Sequence, residues 1–316
     1  MAFSVSGETN LLRQELYQRT LKELLLDDLI GTRFVKPITD FPDGVTYNIP
    51  SLGEATTFDM VEGVAVRYSR MDTGNFEFTF DQYVGSASFI TEKFKRDSYW
   101  SSDVESAFVP RQHRAIMERV EARILSRGPS GQTASNLNVI NNADHRWIGS
   151  GTSESMALAD FAKARFALTK ANVPMTDLVA IVDPTVTYSL MTQANLTNLL
   201  TPHPQWSSVV KDGLVTGMNF RFNIFGFDVY ESNYLPISLN ETIDGRTSAD
   251  GVGNQFFSAA AGDTLPIIGG FRQFPKVDIE YNKDLQQTEY VTVTEYGFAL
   301  YRPENMVVVI TDRDVV

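Results

Sequence analysis

The stretch DVESAFVPRQHRAIMERVEARILSR, residues 103–127, decides how the rest of the chain reads. Val104, Phe108, Ile116, Val120 and Ile124 recur on a four-residue staircase, which winds a narrow apolar stripe along a helix. Arg111, Arg114, Glu118, Arg119, Glu121 and Arg123 fall between them and give the other face its charge. Gly128-Pro129 ends the pattern, because glycine suits the residue after a helix and proline cannot extend one. Pro110 either kinks one long helix or opens a second at its first turn, where no backbone N–H is needed. From Pro110 to Arg127 such a helix is roughly 27 Å long, at about 1.5 Å per residue. A stripe one side chain wide, flanked in sequence by strand-like segments, reads as a spine on which other elements lean. An ordinary surface helix on an α+β domain is the competing reading.

Outward from this segment the chain divides in character. Upstream, residues 9–30 carry Leu12, Leu16, Leu21, Leu24, Leu25 and Leu29 on one helical face, and Gly31 ends the helix. Residues 34–53 are punctuated by Pro37, Pro42 and Pro50, an extended connection. Residues 64–70 and 75–80 alternate with period two and are joined by Met71-Asp-Thr-Gly74, which reads as a hairpin. An isolated two-stranded hairpin is marginal in water. This one therefore either joins a larger sheet of its own subunit or rests on another.

Downstream, residues 128–155 are rich in Gly, Ser, Thr and Asn and read as a long loop at a domain boundary. Residues 153–170 read as a helix capped by Ser153, with Ala157, Phe161, Ala164, Arg165 and Leu168 on its buried side. The run DLVAIVD, 177–183, has the continuous apolar character of a strand buried on both faces. A helix follows from Pro184, strands are expected at 222–230, 276–281 and 290–298, and a buried strand at 306–310. Helices and strands alternate without a strict repeat, so the fold class is α+β.

The totals narrow the function. The 316 residues, 43% hydrophobic, can bury a large core. There is no cysteine, which removes disulfides, thiolate zinc sites and a cysteine nucleophile. A net charge of −12 argues against a dedicated nucleic-acid binder. No run of 18 apolar residues and no signal peptide is present, so the expectation is a soluble protein made in a cytoplasm, with no membrane partner. The phosphate loop, the dinucleotide glycine fingerprint, HExxH and the nucleophile elbow are all absent. Asp244-Gly245 to Asp250-Gly251 lacks the ligand spacing of a calcium loop. His145, beside Asp144 and Trp147, could be a base with its orienting carboxylate, but a polar loop histidine is the simpler reading. Asp183-Pro184 sits at a strand end, where a carboxylate also caps the next helix. The expectation is no catalytic, metal or cofactor site.

One set of segments says more. ARFALTKANVP (164–174), LVAIVDP (178–184) and YSL (188–190) resemble a helix, buried strand and short helix of tailed-phage major capsid proteins. GFDVYESNYLP (226–236) is similar to a strand of that family, and YGFALYRP (296–303) with 306–310 to its closing strand pair. The order of elements fits as well. The resemblance implies the Hong Kong 97-type capsid fold: an N-terminal arm (1–43), an E-loop hairpin (44–85), a peripheral domain holding the spine helix (86–150 and 285–316) and an axial domain (151–284). It implies a shell subunit of the virion, assembled in a bacterial cytoplasm into hexamers and pentamers of an icosahedral shell. Its partners would be copies of itself, a portal protein, packaged double-stranded DNA touched only non-specifically, and in some relatives a cement protein. No long charged extension precedes the arm, so a separate scaffolding protein is expected. Residues 45–85 contain Arg67 and Arg70 but no lysine, so loop-lysine cross-links are not available. An encapsulin-like compartment shell is the nearest alternative, and a soluble enzyme the next.

The residues expected to touch neighbouring copies are Leu12, Leu16 and Leu24 of the arm, Arg67 and Arg70 setting register, and Phe76, Phe78 or Phe80 of the hairpin.

Overall fold

The computed structural model describes residues 29–38, 46–53, 57–60, 62–63, 65–66, 68, 73–98, 101–128, 137–192, 220–261 and 263–314. Within them the strands are β1 (Val35–Pro37), β2 (Thr46–Leu52), β3 (Thr73–Thr79), β4 (Gln82–Thr91), β5 (Val139–Ile140), β6 (Ala143–Asp144), β7 (Arg146–Ile148), β8 (Leu178–Val182), β9 (Phe220–Ile224), β10 (Phe227–Glu231), β11 (Ile237–Ile243), β12 (Arg246–Ser258), β13 (Ile267–Asn282), β14 (Gln287–Leu300) and β15 (Val307–Asp312). The α-helices are α1 (Glu92–Asp97), α2 (Ser101–Leu125), α3 (Leu158–Lys170) and α4 (Pro184–Thr192). The expected α+β mixture is present.

α2 is the spine. It runs unbroken through Pro110, which is exposed and so needs no buried partner for the carbonyl it strands. Ile116, Val120 and Ile124 are at most 2% exposed, as the stripe predicts. The helix lies between two sheets. One is four-stranded in the order β1-β13-β14-β4, with β13-β14-β4 antiparallel. The even residues of β14, Tyr290, Thr292, Thr294 and Tyr296, are buried on its helix side. Gln112 ties the two elements: its Nε2 donates to the Tyr290 carbonyl at 3.1 Å, and Thr292 Oγ1 donates to its Oε1 at 2.8 Å.

The other sheet has seven strands, β7-β15-β12-β8-β10-β9 with β11 on β12. Its central strands are apolar on both faces because both faces are covered. Leu178, Ala180 and Val182 of β8, with Val307 and Val309 of β15, face a core closed by Phe161, Ala164 and Leu168 of α3. Val179, Ile181, Val308 and Ile310 join Ile116, Val120, Ile124 and Leu125 of α2 in the other core. Phe161, Phe227 and Phe256 meet edge-to-face at 5.1–6.4 Å.

Several expectations are corrected. The partner of β3 is β2, with Thr46 opposite Thr79 and Leu52 opposite Thr73, and not the segment 64–70. The described residues there, Ala65, Val66 and Tyr68, are irregular and exposed, because a 20-residue connection separates the paired strands. α3 begins at Leu158 rather than at Ser153, which sits in a 3-10 turn at φ 51°. Asp160 secures this start: its carboxylate accepts the Ala157 N–H at 2.9 Å, the Ser150 N–H at 3.0 Å and the Trp147 Nε1–H at 3.1 Å. Arg165 is exposed rather than buried, its Nη1 bonded to the Phe225 carbonyl. The strand expected at 222–230 is a hairpin, β9 and β10, turned at Phe225-Gly226 with both φ positive. β13, assigned to the axial segment, pairs in the four-stranded sheet, and β15, assigned to the peripheral one, pairs β12 and β7 in the other. The helix expected at 9–30 lies outside the described residues except for its last two.

Candidate assembly surface

The hairpin β2–β3 has an anchored base and a bare tip. At its base Phe78 is 1% and Phe80 7% exposed, their rings edge-to-face at 5.0 Å. They pack with Ile268, Ile38, Tyr47, Ile49, Ala299 and Tyr301 of the same subunit. Phe76 is half-buried, its ring 5.2 Å from that of Tyr301. The expectation that Phe78 or Phe80 is left for a neighbouring copy is therefore wrong: the hairpin lies back on the end of β13 and β14. Gly297 makes that approach possible. A Cβ there would stand 2.9 Å from the Thr79 carbonyl oxygen and 3.0 Å from Phe80 Cα.

Two ion clusters pin the base. Asp81, between β3 and β4, meets Arg123 at 2.6 Å and Arg127 at 3.3 Å, both on the spine segment. Burial pushes the Asp81 carboxyl up, but hydrogen bonding by Gln82 and Arg123 and the charges of Arg123 and Arg127 outweigh it and hold it below its ordinary value. Asp263 binds Lys36 of β1 and, at 2.9 Å, Arg302. Both cations lie against the Tyr301 ring, 5.0 and 5.1 Å from its centre, so the platform under Phe76 is held by cation–π contacts.

The tip differs. Every described residue from 57 to 68 is exposed, and four of them are large and apolar: Phe58 at 45%, Met60 at 68%, Val66 at 44% and Tyr68 at 95%. Four large apolar side chains exposed on one connection form a candidate contact surface. A second apolar surface lies on the odd face of the four-stranded sheet, away from α2. There Tyr83 and Phe89 of β4 are 74% and 59% exposed, with Val291 of β14 paired to Ala87. Arg67, Arg70, Leu12, Leu16 and Leu24 lie outside the described residues.

The residues weighed for chemistry make the following contacts. His145 lies in the bend between β6 and β7, as a loop histidine would, but it is buried. Its Nδ1 faces the Ala143 carbonyl at 3.1 Å, and burial lowers its pKa. Asp144 does not orient it but pairs with Lys163 at 2.9 Å. Asp183 caps α4 as expected, its Oδ2 accepting the Thr185 N–H at 3.0 Å and hydroxyl at 2.6 Å. Asp244-Gly245 forms the β11–β12 turn, both at positive φ. Among the described residues no three His, Asp or Glu side chains converge as a metal-ligand set, and no helix is long and apolar enough to cross a membrane.

Arg146 and Glu241 tie β7 to β11 by two guanidinium–carboxylate bonds, one of 2.6 Å. The Arg146 bond, opposed by burial and aided by Ser238, holds the Glu241 carboxyl below its ordinary value of 4.5. A depressed folded-state value means the stabilisation is complete above about pH 4.5 and is lost as pH falls through the folded value. Glu241→Gln should therefore cost about 2 kcal/mol at pH 7 and progressively less in acid. Urea midpoints of both proteins at pH 7 and pH 3.5 check this, and an equal gap at both would contradict it.

The sequence matches no family model and no curated protein. Solved structures match along nearly its whole length. The capsid asymmetric unit of cyanophage Pam1 aligns at TM-score 0.69 and 13% identity, over 98% of each chain. A protein of Mycobacterium phage Che8 aligns at 0.67 and 16%, over 95% of this chain and 97% of that one. The capsid of Ralstonia phage GP4 aligns at 0.66 and 11%, over 99% of each. The architecture is that of these phage proteins, the Hong Kong 97-type fold.

Proposed function

We propose that this chain is the major capsid protein of a tailed bacteriophage, a structural subunit that assembles with copies of itself into an icosahedral shell around double-stranded DNA. The observation that carries the reading is the end-to-end match with phage capsid structures, which covers nearly the whole of both chains. The bare apolar hairpin tip supports it, since a protrusion with four exposed large apolar side chains calls for a partner. The acidic net charge also fits, because a container must not hold its genome tightly. In this reading the tip and the first 28 residues bury on neighbouring copies, in hexamers and pentamers. A separate scaffolding protein directs the closure, a portal protein takes one vertex, and assembly precedes packaging in the bacterial cytoplasm. The role is structural rather than catalytic.

Electron microscopy of the purified full-length protein, alone and with its co-expressed neighbouring genes, tests this. Closed shells with a single wall are expected, and particles no larger than a small oligomer under both conditions would refute it. DNA-filled rather than protein-filled shells separate a virion from a compartment.

With no cysteine anywhere and no lysine in residues 45–85, neither disulfides nor loop-lysine isopeptide bonds join the subunits. Shell particles boiled in SDS should therefore run as one band near 35.3 kDa. A ladder of covalent multimers would show that a different cross-link operates.

A further inference from the structure

Glu121 belongs to the spine helix one step beyond Val120, yet it is 0% exposed, although a carboxylate at that step would ordinarily face water. Its Oε1 accepts two backbone N–H groups from far away in sequence, Ile30 at 2.9 Å and Gly31 at 2.7 Å. These are the leading donors of the 3-10 turn Gly31–Phe34, which has no side-chain cap of its own. The spine thus supplies the cap in trans, and with a charged acceptor, the stronger kind. The fit is close. A Cβ on Gly31 would stand 2.9 Å from Glu121 Oε2, so a larger residue at position 31 would have to displace this carboxylate. On either side of the bond the chain is sunk in the core. Ile30 is 3% exposed among Ile116, Val120 and Ile124, and the Phe34 ring meets those of Tyr230 and Phe257 at 5.6 and 5.3 Å.

We infer that Glu121 is the positioning residue of the N-terminal segment, a latch that fixes Ile30 and Gly31 on the spine helix and with them the point to which residues 1–28 are joined. The latch itself stands on the geometry. Its consequence for assembly rests on the shell reading above: a segment that bridges to a neighbour can do so repeatedly only if every copy launches it from the same place. Opening the latch should therefore damage the regularity of shells before it damages the fold of the subunit.

Trypsin reads the latch directly in the full-length protein. Arg33 is exposed within the turn, but cleavage after it requires the backbone between Ile30 and Val35 to lift out of the core. Lys36 precedes proline and does not compete as a site. Arg165, exposed on α3, serves as the internal control for general loosening. Relative to Arg165, cleavage after Arg33 should be about tenfold faster in Glu121→Gln, which loses the charged acceptor, and faster again in Glu121→Ala. Gly31→Ala, which crowds the carboxylate while keeping it, should raise the same ratio. A merely structural glutamate would accelerate both sites together. Should Glu121→Ala not fold, Glu121→Gln decides, and an unchanged Arg33-to-Arg165 ratio in it overturns the latch. Glu121→Gln should also give irregular or open shells where the wild-type protein gives regular ones. Regular shells from a variant with a raised ratio would overturn the assembly consequence. If the wild-type protein forms no shells at all, the shell reading fails while the proteolysis ratio still judges the latch.

Discussion

On the proposed shell function, the double variant Phe58→Glu, Tyr68→Glu is expected to stay as soluble subunits under conditions that let the wild-type chain assemble. Both side chains stand on the hairpin tip, 45% and 95% exposed, and neither belongs to a buried core cluster of the described residues. Their replacement should leave the thermal midpoint within about 2 °C of wild type, as surface changes generally do. Assembly is different. A buried aromatic side chain removes on the order of 150–250 Å² from water, worth several kcal/mol at about 25 cal/mol per Å². A glutamate in its place loses that gain and adds an unpaired carboxylate whose desolvation costs several kcal/mol more. The same loss recurs at every contact of a shell, so even about 2 kcal/mol per contact is amplified into failure of the particle. Sedimentation and electron microscopy read the outcome. Normal shells from the double variant would show that the tip is not an interface. A fall of the midpoint by 10 °C or more would show that it packs on its own subunit.

Removal of residues 1–28 should likewise abolish regular shells and leave a folded subunit. The cut falls just before Leu29, so Ile30, Gly31 and Phe34 keep their places against α2, Tyr230 and Phe257. Cooperative unfolding with an unchanged midpoint is expected, together with amorphous or no assembly. Removal through Phe34 is the informative contrast. It takes a buried isoleucine and a packed phenylalanine out of the core and leaves the Glu121 carboxylate without the two N–H groups that compensate its burial. Each core deletion alone costs about 2–5 kcal/mol, so this longer truncation should be insoluble or unfold at once. Regular shells from the 1–28 deletion would remove the segment from the assembly. A shorter deletion as unstable as the longer one would place its leucines in the subunit's own core.

Elements whose signal is local were legible from the residues alone. The staircase at Ile116, Val120 and Ile124 requires only 3.6-residue periodicity, and its burial followed. DLVAIVD could be read as a strand covered on both faces because a single apolar pentad cannot be half exposed. The capsid-like motifs at 164–184, 226–236 and 296–303 carried the fold class, and the match with phage capsid structures has the same architecture. The assembly surface was less legible. Alternation over 64–70 suggested a strand, but alternation states only that one face is apolar, not which strand pairs with it. Phe76, Phe78 and Phe80 looked like surplus apolar area until β13, β14 and Tyr301, about two hundred residues downstream, came to cover them. Of the tip residues, Val66 and Tyr68 belong to that alternation and Phe58 and Met60 precede it, but period two alone does not say that their apolar side chains stay uncovered.

By itself the sequence determined the spine helix, the doubly covered central strands, the α+β class and the absence of cysteine chemistry, because each follows from composition or from repeats a few residues long. Only the tertiary structure decided which face of the hairpin is spent inside the subunit, that β13 pairs in the four-stranded sheet and β15 in the seven-stranded one, and that Glu121 is a buried acceptor rather than one more charge on a solvated helix face. The donors to Glu121 lie 91 and 90 residues away in sequence, and the cover of the hairpin lies in β13 and β14, far downstream. A carboxylate one step off an apolar stripe is exposed or buried according to what arrives beside it, and here the arrival is the backbone of Ile30 and Gly31, which presents two N–H groups that nothing else satisfies as well.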